Sequence, residues 1–571
     1  MLINAELLLQ FQRCRRRPFL DIYGDYTLRS EPTDLLVKLQ QDKINHQKSI
    51  LRRTEYIRPN YRPRDWRAGA VETLELMQQG VDCIYQGVLL ADYADIEWRT
   101  QVSNSLQQNI LSAELAAVSS VAEDNESDNN MSTLTFSLED SFTNYTAPPL
   151  FSPYVPSREY TLVSCPDLLI KQPGKSRFGD FQYIPTTIEL GKRPKQEYQV
   201  IAAYHAEILR ITQLVEPTTA GLILRSKETS YHVDLKRWSV QMQRILSQCI
   251  ESLEAEIAPD IFISRQKCTL CHWHTDCYNV ARASRHLSLM PGVTPVRYAQ
   301  LRAININTPE ALANTNPLML ENLPGFDSYI APKLVVQAKS ITENRALLLQ
   351  PSTRKVEENI SLTQPYTYTS ISSLRQSQIA VKDIRLEYPV ELYFDIEAQP
   401  DLNLNYLLGV LVVDKIAQTE QFYSFLAEKP EDEELVWQQF VNLVNQYPEA
   451  PIYHFCVYEF DTVKRLAKLY HTQYDVVLPI LSRFVDVYEE LIKNVALPIE
   501  SYALKVIAKW LKFEWRDSDA SGAKCIYWYD QWLKTGNHAM LSIIQRYNED
   551  DCHATRCVKD WLFKFFEEAN Q

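Results

Sequence analysis

Residues 390–400 read VELYFDIEAQP, and this stretch decides the fold of the C-terminal half. Its apolar residues are typical of a β-strand, and the strand ends in Asp395-Ile396-Glu397. Side chains two residues apart on a strand lie on one face, so we expect the two carboxylates to lie together. Residues 405–414, NYLLGVLVVD, predict the neighbouring strand of the same sheet.

More acidic residues follow at the ends of predicted elements. Residues 452–470 predict a strand that runs into a helix, with Glu459 and Asp461 near the junction. Asp486 follows in the next predicted strand. Carboxylates that come from separate elements can meet at one edge of a sheet, which a metal site requires.

The end of the chain adds a tyrosine and another carboxylate. Tyr547 and Asp551 are four residues apart on a predicted helix within residues 544–562, so their side chains share one face. Three or four carboxylates can hold two divalent metal ions about 4 Å apart, which stabilise the attacking and leaving oxygens at phosphorus. Oxygen ligands favour Mg²⁺ or Mn²⁺. The pattern therefore predicts a metal-dependent phosphodiesterase site.

The order of these residues resembles the ribonuclease H-like exonucleases, which have four acidic metal ligands and a tyrosine that orients the attacking water. The resemblance implies that Tyr547 is this tyrosine and that the ligands are Asp395, Glu397, Asp461 and Asp551. Glu459 stays open as an alternative to Asp461, because some relatives carry the acid there. Asp550 fits less well than its neighbour, because the spacing Tyr-x3-Asp selects Asp551.

The sequence that flanks these residues indicates which branch of the ribonuclease H-like proteins the C-terminal half resembles. Residues 501–532, SYALKVIAKWLKFEWRDSDASGAKCIYWYDQW, followed by RYNEDDCHAT at 546–555, are similar to the YprB-type ribonuclease H-like domain. With the N-terminal features described next, the chain resembles the bacterial RecB-like putative nuclease family. That family joins a RecB-type domain, a helix-hairpin-helix linker and this domain in the same order. The resemblance implies a 3′–5′ exonuclease.

Residues 268–277, CTLCHWHTDC, contain three cysteines and two histidines. Their spacing predicts a metal site that needs a fourth ligand. Zinc could take His272 or His274, whereas an iron–sulfur cluster needs a fourth cysteine, for which Cys14 in FQRCRRRPF is the candidate. The pattern resembles the cluster-bearing branch of the RecB-type nucleases. That resemblance implies a [4Fe–4S] cluster on Cys14, Cys268, Cys271 and Cys277.

The RecB-type resemblance also implies a second nuclease-like site, whose motif is degraded. Asp167 fits the first acidic position. Thr187 and Glu189 stand where the family has an acid and a lysine, which leaves Lys192 as a displaced cation. The helical positions of the motif are Gln199 and Tyr204, one residue further apart than is usual. We therefore expect this half to bind nucleic acid with little or no cleavage.

The middle of the chain repeats a turn. Residues 289–303 and 322–338 both contain an apolar-Pro-Gly-apolar sequence followed by a helical pattern. Between them, Thr308 and Pro309 predict the capped start of a helix. Paired helices of this kind resemble helix-hairpin-helix modules, which present backbone N–H groups to phosphates. A plain helical linker is the alternative.

Composition limits the classes of function. The chain has 571 residues, 45% hydrophobic and 23% charged, with a net charge of −13. This charge argues against a uniformly basic nucleic-acid coat but allows local basic channels. We find no signal peptide and no run of apolar residues long enough to span a membrane, so we expect a cytoplasmic protein that does not bind membranes. The acidic stretch 101–157, which lacks Lys and Arg, predicts a disordered insert.

Together these patterns predict an α/β protein with a RecB-type, restriction-endonuclease-like N-terminal domain, a helical hairpin linker and a ribonuclease H-like C-terminal domain. The predicted boundaries are 1–285 for the RecB-type domain, 286–345 for the helix-hairpin-helix-like region, 346–387 for a linker and 388–571 for the exonuclease domain. The predicted activity is hydrolysis of DNA or RNA. The alternative is a non-catalytic nucleic-acid-binding scaffold with an iron–sulfur structural domain.

Overall fold

A computed structural model describes residues 1–96, 98, 153–225, 230–349 and 384–569. The described residues form two compact units, which divide between Asn279 and Val280. Most of the predicted acidic insert and most of the predicted linker lie outside the described residues. Among the helices that are described, none combines the length and the apolar composition that crossing a membrane requires.

The first unit contains two β-sheets. One has the strand order β1-β4-β3, and the other has the order β2-β5-β6-β7-β8. In the larger sheet β5 and β6 form an antiparallel hairpin, and β7 pairs in parallel with β6. The strands are β1 Leu2–Asn4, β2 Cys83–Tyr85, β3 Leu89–Asp92, β4 Thr161–Ser164, β5 Leu168–Ser176, β6 Gly179–Glu189, β7 Ala220–Leu224 and β8 Tyr231–Val233.

A nearly all-buried helix, α5, forms the centre of the core of the first unit. It contacts strands of both sheets, and residues such as Val200 and Ile208 are fully covered. The helix is buried on nearly all sides, and its buried residues include polar ones such as Gln199 and His205. The helices are α1 Ala5–Arg13, α2 Arg16–Tyr23, α3 Asp34–Leu51, α4 Trp66–Gln78, α5 Gln196–Gln213 and α6 Leu235–Glu254, with α7 His274–Ala283 crossing the boundary of the units.

The second unit begins with short helices, α8 Pro295–Ala303, α9 Pro309–Ala313 and α10 Ile330–Glu343. The cap predicted for α9 is confirmed, because the Thr308 side chain accepts a hydrogen bond from the Ala311 N–H and Pro309 occupies the first turn. Gly292 and Gly325, in the two Pro-Gly turns, have φ of +85° and +82°, which glycine adopts without strain. Arg297 ties these turns together by donating to both of their glycine carbonyls.

Helix α10 also packs against the rest of the second unit. The Lys333 ammonium donates to the Ile492 carbonyl at 2.8 Å, and the Gln337 amide donates to the Leu497 carbonyl at 2.7 Å. The strands β9 Leu347–Leu348 and β15 Val495–Ala496 form a small antiparallel sheet beside it. The helical region is therefore part of one unit with the C-terminal domain.

A five-stranded mixed sheet forms the core of the second unit, with the order β12-β11-β10-β13-β14. The predicted strand pair is confirmed: β10 and β11 are antiparallel neighbours, and β12 extends them. On the other side, β13 and β14 run parallel to β10, which places β10 at the centre. These strands are β10 Val390–Gln399, β11 Leu404–Asp414, β12 Thr419–Leu426, β13 Ile452–His454 and β14 Phe484–Asp486.

The longest helix, α17, packs against the central strands β10 and β11. Its buried residues, among them Leu541, Ile544, Val558 and Leu562, recur at helical spacing and form one apolar stripe. The remaining helices are α11 Glu433–Asn445, α12 Tyr458–Leu469, α13 Tyr474–Leu481, α14 Val487–Asn494, α15 Leu504–Trp510, α16 Gly522–Thr535 and α17 His538–Ala569.

Candidate active site

The central strand β10 carries the first two carboxylates. Asp395 lies opposite Gly409 of β11, and Glu397 lies opposite Leu407, just before a register shift. Both side chains project from the same face of the sheet, as two-residue spacing requires. Glu397 is buried and Asp395 is half-buried.

Helix α17 brings a third carboxylate to this face. Single carboxylate oxygens of Asp395, Glu397 and Asp551 all lie within 4.8 Å of one another. Among the described His, Cys, Asp and Glu residues, this is the one group of three or more that is spaced to hold a metal ion. Tyr547, one turn earlier on α17, is buried and donates a hydrogen bond to Asp551.

The three carboxylates strongly affect each other's protonation. Burial, followed by the charges of Asp551, Glu397 and Glu459, raises the pKa of Asp395 well above its usual value. Burial and the charge of Asp551 do the same to the pKa of Glu397. Burial raises the pKa of Asp551 to about 7, although hydrogen bonds from Trp515 and Tyr547 oppose the shift. Such a cluster favours a bound cation.

The fourth predicted ligand, Asp461, is not brought into this cluster. Its side chain is 31% exposed and lies 3.9 Å from Lys464 on the same helix. Glu459, two residues earlier in the first turn of α12, is only 5% exposed, and its charge acts on Asp395. Residues two apart on a helix point about 200° apart, so one of the two must face away. The structure turns Glu459, the open alternative, toward the site.

One oxygen of Glu459 has no hydrogen-bond partner, although it is buried. Nδ1 of His454 is 3.5 Å from Oε2 of Glu459; burial raises the pKa of Glu459, and His454 opposes this rise. That nitrogen is 2.6 Å from the Cys456 carbonyl, to which it donates. A buried carboxylate oxygen without a donor is costly, so this atom has unused capacity to accept a hydrogen bond or a cation.

Three further residues that the sequence did not single out hold the carboxylates in place. Asn548 donates through Nδ2 to Oδ2 of Asp395 at 2.6 Å. The Trp515 indole donates to Oδ1 of Asp551 at 2.7 Å. Cys525 forms a hydrogen bond with Glu397. Of the three, only Asn548 could have been suspected from the sequence, because it lies within the Tyr547–Asp551 motif.

A lysine from α15 lies at the edge of the cluster. The Lys505 ammonium is 5.6 Å from the centre of the Tyr547 ring and 5.4 Å from that of Trp515. It donates to the Ala520 carbonyl, and its charge lowers the pKa of Asp551. The cation is therefore placed to attract an anionic group that approaches the carboxylates.

In the first unit, the four predicted cysteines lie near enough to one another for their charges to interact. Burial raises the pKa of Cys268 to about 12, and the thiols of Cys14, Cys271 and Cys277 contribute to the shift. Cys14 ends α1 and the other three follow α6, so the fold brings together residues more than 250 positions apart. Tetrahedral zinc would hold its sulfurs about 3.8 Å apart, from Zn–S bonds of about 2.3 Å. Among the described residues, no three Cys or His ligand atoms approach within 4.8 Å of one another.

The two histidines beside these cysteines make other contacts. His272 lies 2.8 Å from Asp21 and 2.8 Å from Arg29 through the same ring nitrogen, Nε2. The His274 ring packs against Tyr278. These contacts favour the four cysteines over a set of three cysteines and a histidine.

The residues of the degraded second motif make different kinds of contact in the structure. Asp167 accepts hydrogen bonds on both oxygens, from Gln47 at 2.7 Å and from the Ile188 N–H at 2.6 Å. The Tyr204 hydroxyl is buried and donates to the Ile3 carbonyl, and the Gln199 amide donates to the Pro194 carbonyl. These two side chains therefore support the core of the unit.

A cation does lie next to Glu189, but it is not the predicted Lys192, which is exposed. The Lys43 ammonium, from α3, is 3.4 Å from Glu189. Burial raises the pKa of Glu189 to about 7, the charge of Asp167 adds to this, and Lys43 opposes it. The cation that the structure places beside Glu189 therefore comes from a lysine distant in sequence.

Comparison with known proteins identifies the fold of the C-terminal domain. Residues 392–563 match the model of a family described as the RNase H superfamily. The matched span runs from β10 into α17 and includes the carboxylate cluster and Tyr547. None of the curated proteins compared with the chain is similar to it. The chain thus carries an RNase H-like domain, which indicates a nuclease-type hydrolase with a nucleic acid substrate. The match does not reach the first unit, where the RecB-type resemblance stays a prediction.

Proposed function

We propose that the protein is a divalent-metal-dependent nuclease whose C-terminal domain hydrolyses phosphodiester bonds. The observation that carries this proposal is the group formed by Asp395, Glu397 and Asp551, whose oxygens lie within 4.8 Å of one another in an RNase H-like domain. Removal of nucleotides from a 3′ end is supported by the resemblance to the ribonuclease H-like exonucleases with a Tyr-x3-Asp motif.

The residues present fit Mg²⁺ or Mn²⁺. Asp395, Glu397 and Asp551 would hold the ion, and Glu459 replaces Asp461 as the fourth ligand, because its free buried oxygen needs a partner. All four donors are oxygens, which these hard cations prefer. When bound, the metal supplies a Lewis acid and lowers the pKa of water.

The side chains around the carboxylates have separate roles in the proposed mechanism. Burial and the nearby carboxylates raise the pKa of Tyr547 well above its usual value, so its hydroxyl keeps its proton and orients an attacking water. Asn548 fixes the rotamer of Asp395 through its hydrogen bond. Lys505 attracts the scissile phosphate to the edge of the cluster.

The test is digestion of single- and double-stranded DNA and RNA labelled at the 5′ or the 3′ end, with Mg²⁺, Mn²⁺ or EDTA. We expect metal-dependent shortening from the 3′ end. Asp395→Ala should abolish it while binding persists, because several kcal/mol of barrier lowering are lost with a metal ligand. Asp475→Ala, at an exposed acid of the same domain, is the control. Full activity of Asp395→Ala would refute the site, and binding without any cleavage by the wild type would favour the scaffold alternative.

We also propose that Cys14, Cys268, Cys271 and Cys277 hold a [4Fe–4S] cluster. The support is that the four thiols lie near one another, that no three described Cys or His ligand atoms are as close as in a zinc site, and that both histidines make other contacts. Burial raises the pKa of Cys271 and of Cys277, and the charges of Arg17 and Arg16 oppose this rise and would balance the negative charge of a bound cluster. Protein purified without oxygen should be brown and contain about four irons per chain. Stoichiometric zinc without iron would refute this assignment.

A further inference from the structure

Residues 52–67, RRTEYIRPNYRPRDWR, form a positively charged segment in a chain whose net charge is negative. We name them the arginine segment. Two acidic residues stand against six arginines, whereas the whole chain has a net charge of −13. The arginines, all exposed, are Arg52, Arg53, Arg58, Arg62, Arg64 and Arg67.

These arginines have no anionic partners in the described part of the chain. None of the six forms an ion pair with a described residue. Of the two acidic residues within the segment, Asp65 caps α4 by accepting a hydrogen bond from the Ala68 N–H. Six arginines in sixteen consecutive positions, none of them paired with a described carboxylate, concentrate positive charge on this surface, which attracts anions.

The segment is fixed on the edge of the larger sheet of the first unit. The Ile57 N–H donates to the Cys83 carbonyl at 3.0 Å, and the Tyr85 N–H donates to the Ile57 carbonyl at 2.9 Å. Residue 57 thus pairs with the edge strand β2. Alternation along an extended chain places Tyr56 and Arg58 together on one face.

That face presents aromatic rings beside the cations. The rings of Tyr56 and Tyr85 are 5.1 Å apart, and the Arg58 guanidinium is 5.7 Å from the centre of the Tyr85 ring. Tyr56 is 42% exposed. Tyr85 pairs in the sheet with Leu168, the residue after Asp167, so the platform continues to the polar site around Asp167 and Glu189.

We infer that the arginine segment binds single-stranded nucleic acid, with Tyr56 and Tyr85 as a base-stacking platform and the arginines on the backbone phosphates. Guanidinium groups match phosphate oxygens in pairs. Aromatic rings stack only on bases that are not enclosed in a duplex, which favours a single strand over a double strand. An acidic protein would satisfy the arginines but leave the exposed ring without a partner. The inference rests on the proposed nuclease function only in that both require a nucleic acid.

The test is fluorescence anisotropy of the full-length protein with labelled single- and double-stranded oligonucleotides, in EDTA and over a range of KCl concentrations. The variant Arg52→Gln/Arg58→Gln should lower single-strand affinity about tenfold or more and reduce the salt slope by about 1.4, at about 0.7 for each phosphate contact. The control, Lys175→Gln/Lys236→Gln, removes the same charge from exposed sites of the same unit and should change neither value. All variants alter exposed residues, and their thermal melting should match the wild type.

A second variant tests the platform. Tyr56→Ala should weaken single-strand binding about fivefold or more with an unchanged salt slope, because stacking is not electrostatic. Wild-type affinity of either test variant, or equal losses for single and double strands, would overturn the inference. The outcome is distinguishable from failure of the proposed nuclease. If the arginine variant loses affinity while Asp395→Ala keeps full hydrolysis, the binding surface stands and the catalytic assignment fails.

Discussion

The substitution Gly409→Ala tests how the candidate site is built. Gly409 faces Asp395 across the central strand pair, and a Cβ atom there would lie 1.7 Å from Oδ1 and 2.8 Å from Cγ of Asn548. Asn548 is fully buried, so its side chain cannot swing into solvent. It must move away, and its 2.6 Å hydrogen bond to Asp395 breaks.

Two costs follow from this movement. Overpacking a buried position costs about 1–3 kcal/mol of folding stability. Loss of a hydrogen bond to a charged group costs about 1.5–3 kcal/mol at Asp395. If the second cost falls on the transition state, kcat/KM decreases about 10- to 160-fold. Because the Asn548 hydrogen bond lowers the pKa of Asp395, its loss also shifts the acidic limb of the pH–rate profile to higher pH.

The assay is a double-mutant cycle with Asn548→Ala, read by urea unfolding and by kcat/KM. Asn548→Ala alone removes the atoms that the new methyl group strikes. Gly409→Ala should therefore cost much less stability in the Asn548→Ala background than in the wild type, giving a coupling energy of about 1 kcal/mol or more. Equal costs in both backgrounds would refute the reasoning, because the damage would then arise elsewhere, for example at Phe422.

Three other outcomes are expected. Glu459→Gln should reduce metal-dependent hydrolysis at least about 100-fold, as expected for a metal ligand. Asp461→Asn should keep activity within about threefold of wild type. A large loss for Asp461→Asn and a small loss for Glu459→Gln would instead favour Asp461 as the ligand. The pKa of Glu189 is raised to about 7, so its contribution to the free energy of unfolding is present in acid and is lost as pH rises through 7. Glu189→Gln should flatten this pH dependence of stability, measured by chemical denaturation between pH 5 and 8. An unchanged pH dependence would contradict the raised pKa. Cys14→Ser should remove iron and lower the Tm of the first unit, whereas Cys557→Ser should do neither.

Local patterns predicted much of the C-terminal fold. The strand pair at 390–414 was predicted because a buried strand is apolar over its whole length and its partner follows at once. The spacing Tyr-x3-Asp also fixed the shared face of Tyr547 and Asp551, because helical periodicity is a local property. The attachment of α10 to the C-terminal domain was not predictable, since it depends on hydrogen bonds between residues about 160 positions apart.

The surroundings of Glu459 and of Glu189 depend on the packed fold rather than on the local sequence. Glu459 and Asp461 are two residues apart on one helix, so the rotation of the helix about its axis decides which carboxylate is buried. That direction is set by the packing of Phe460, Val463 and Leu466 against the sheet, and no motif records it. In the first unit, the cation beside Glu189 comes from Lys43, 146 residues earlier, because charge balance selects any lysine that the fold brings within reach. The local sequence therefore shows that the motif lacks its lysine. It does not show which distant lysine the fold places beside Glu189, because that depends on how the core is assembled.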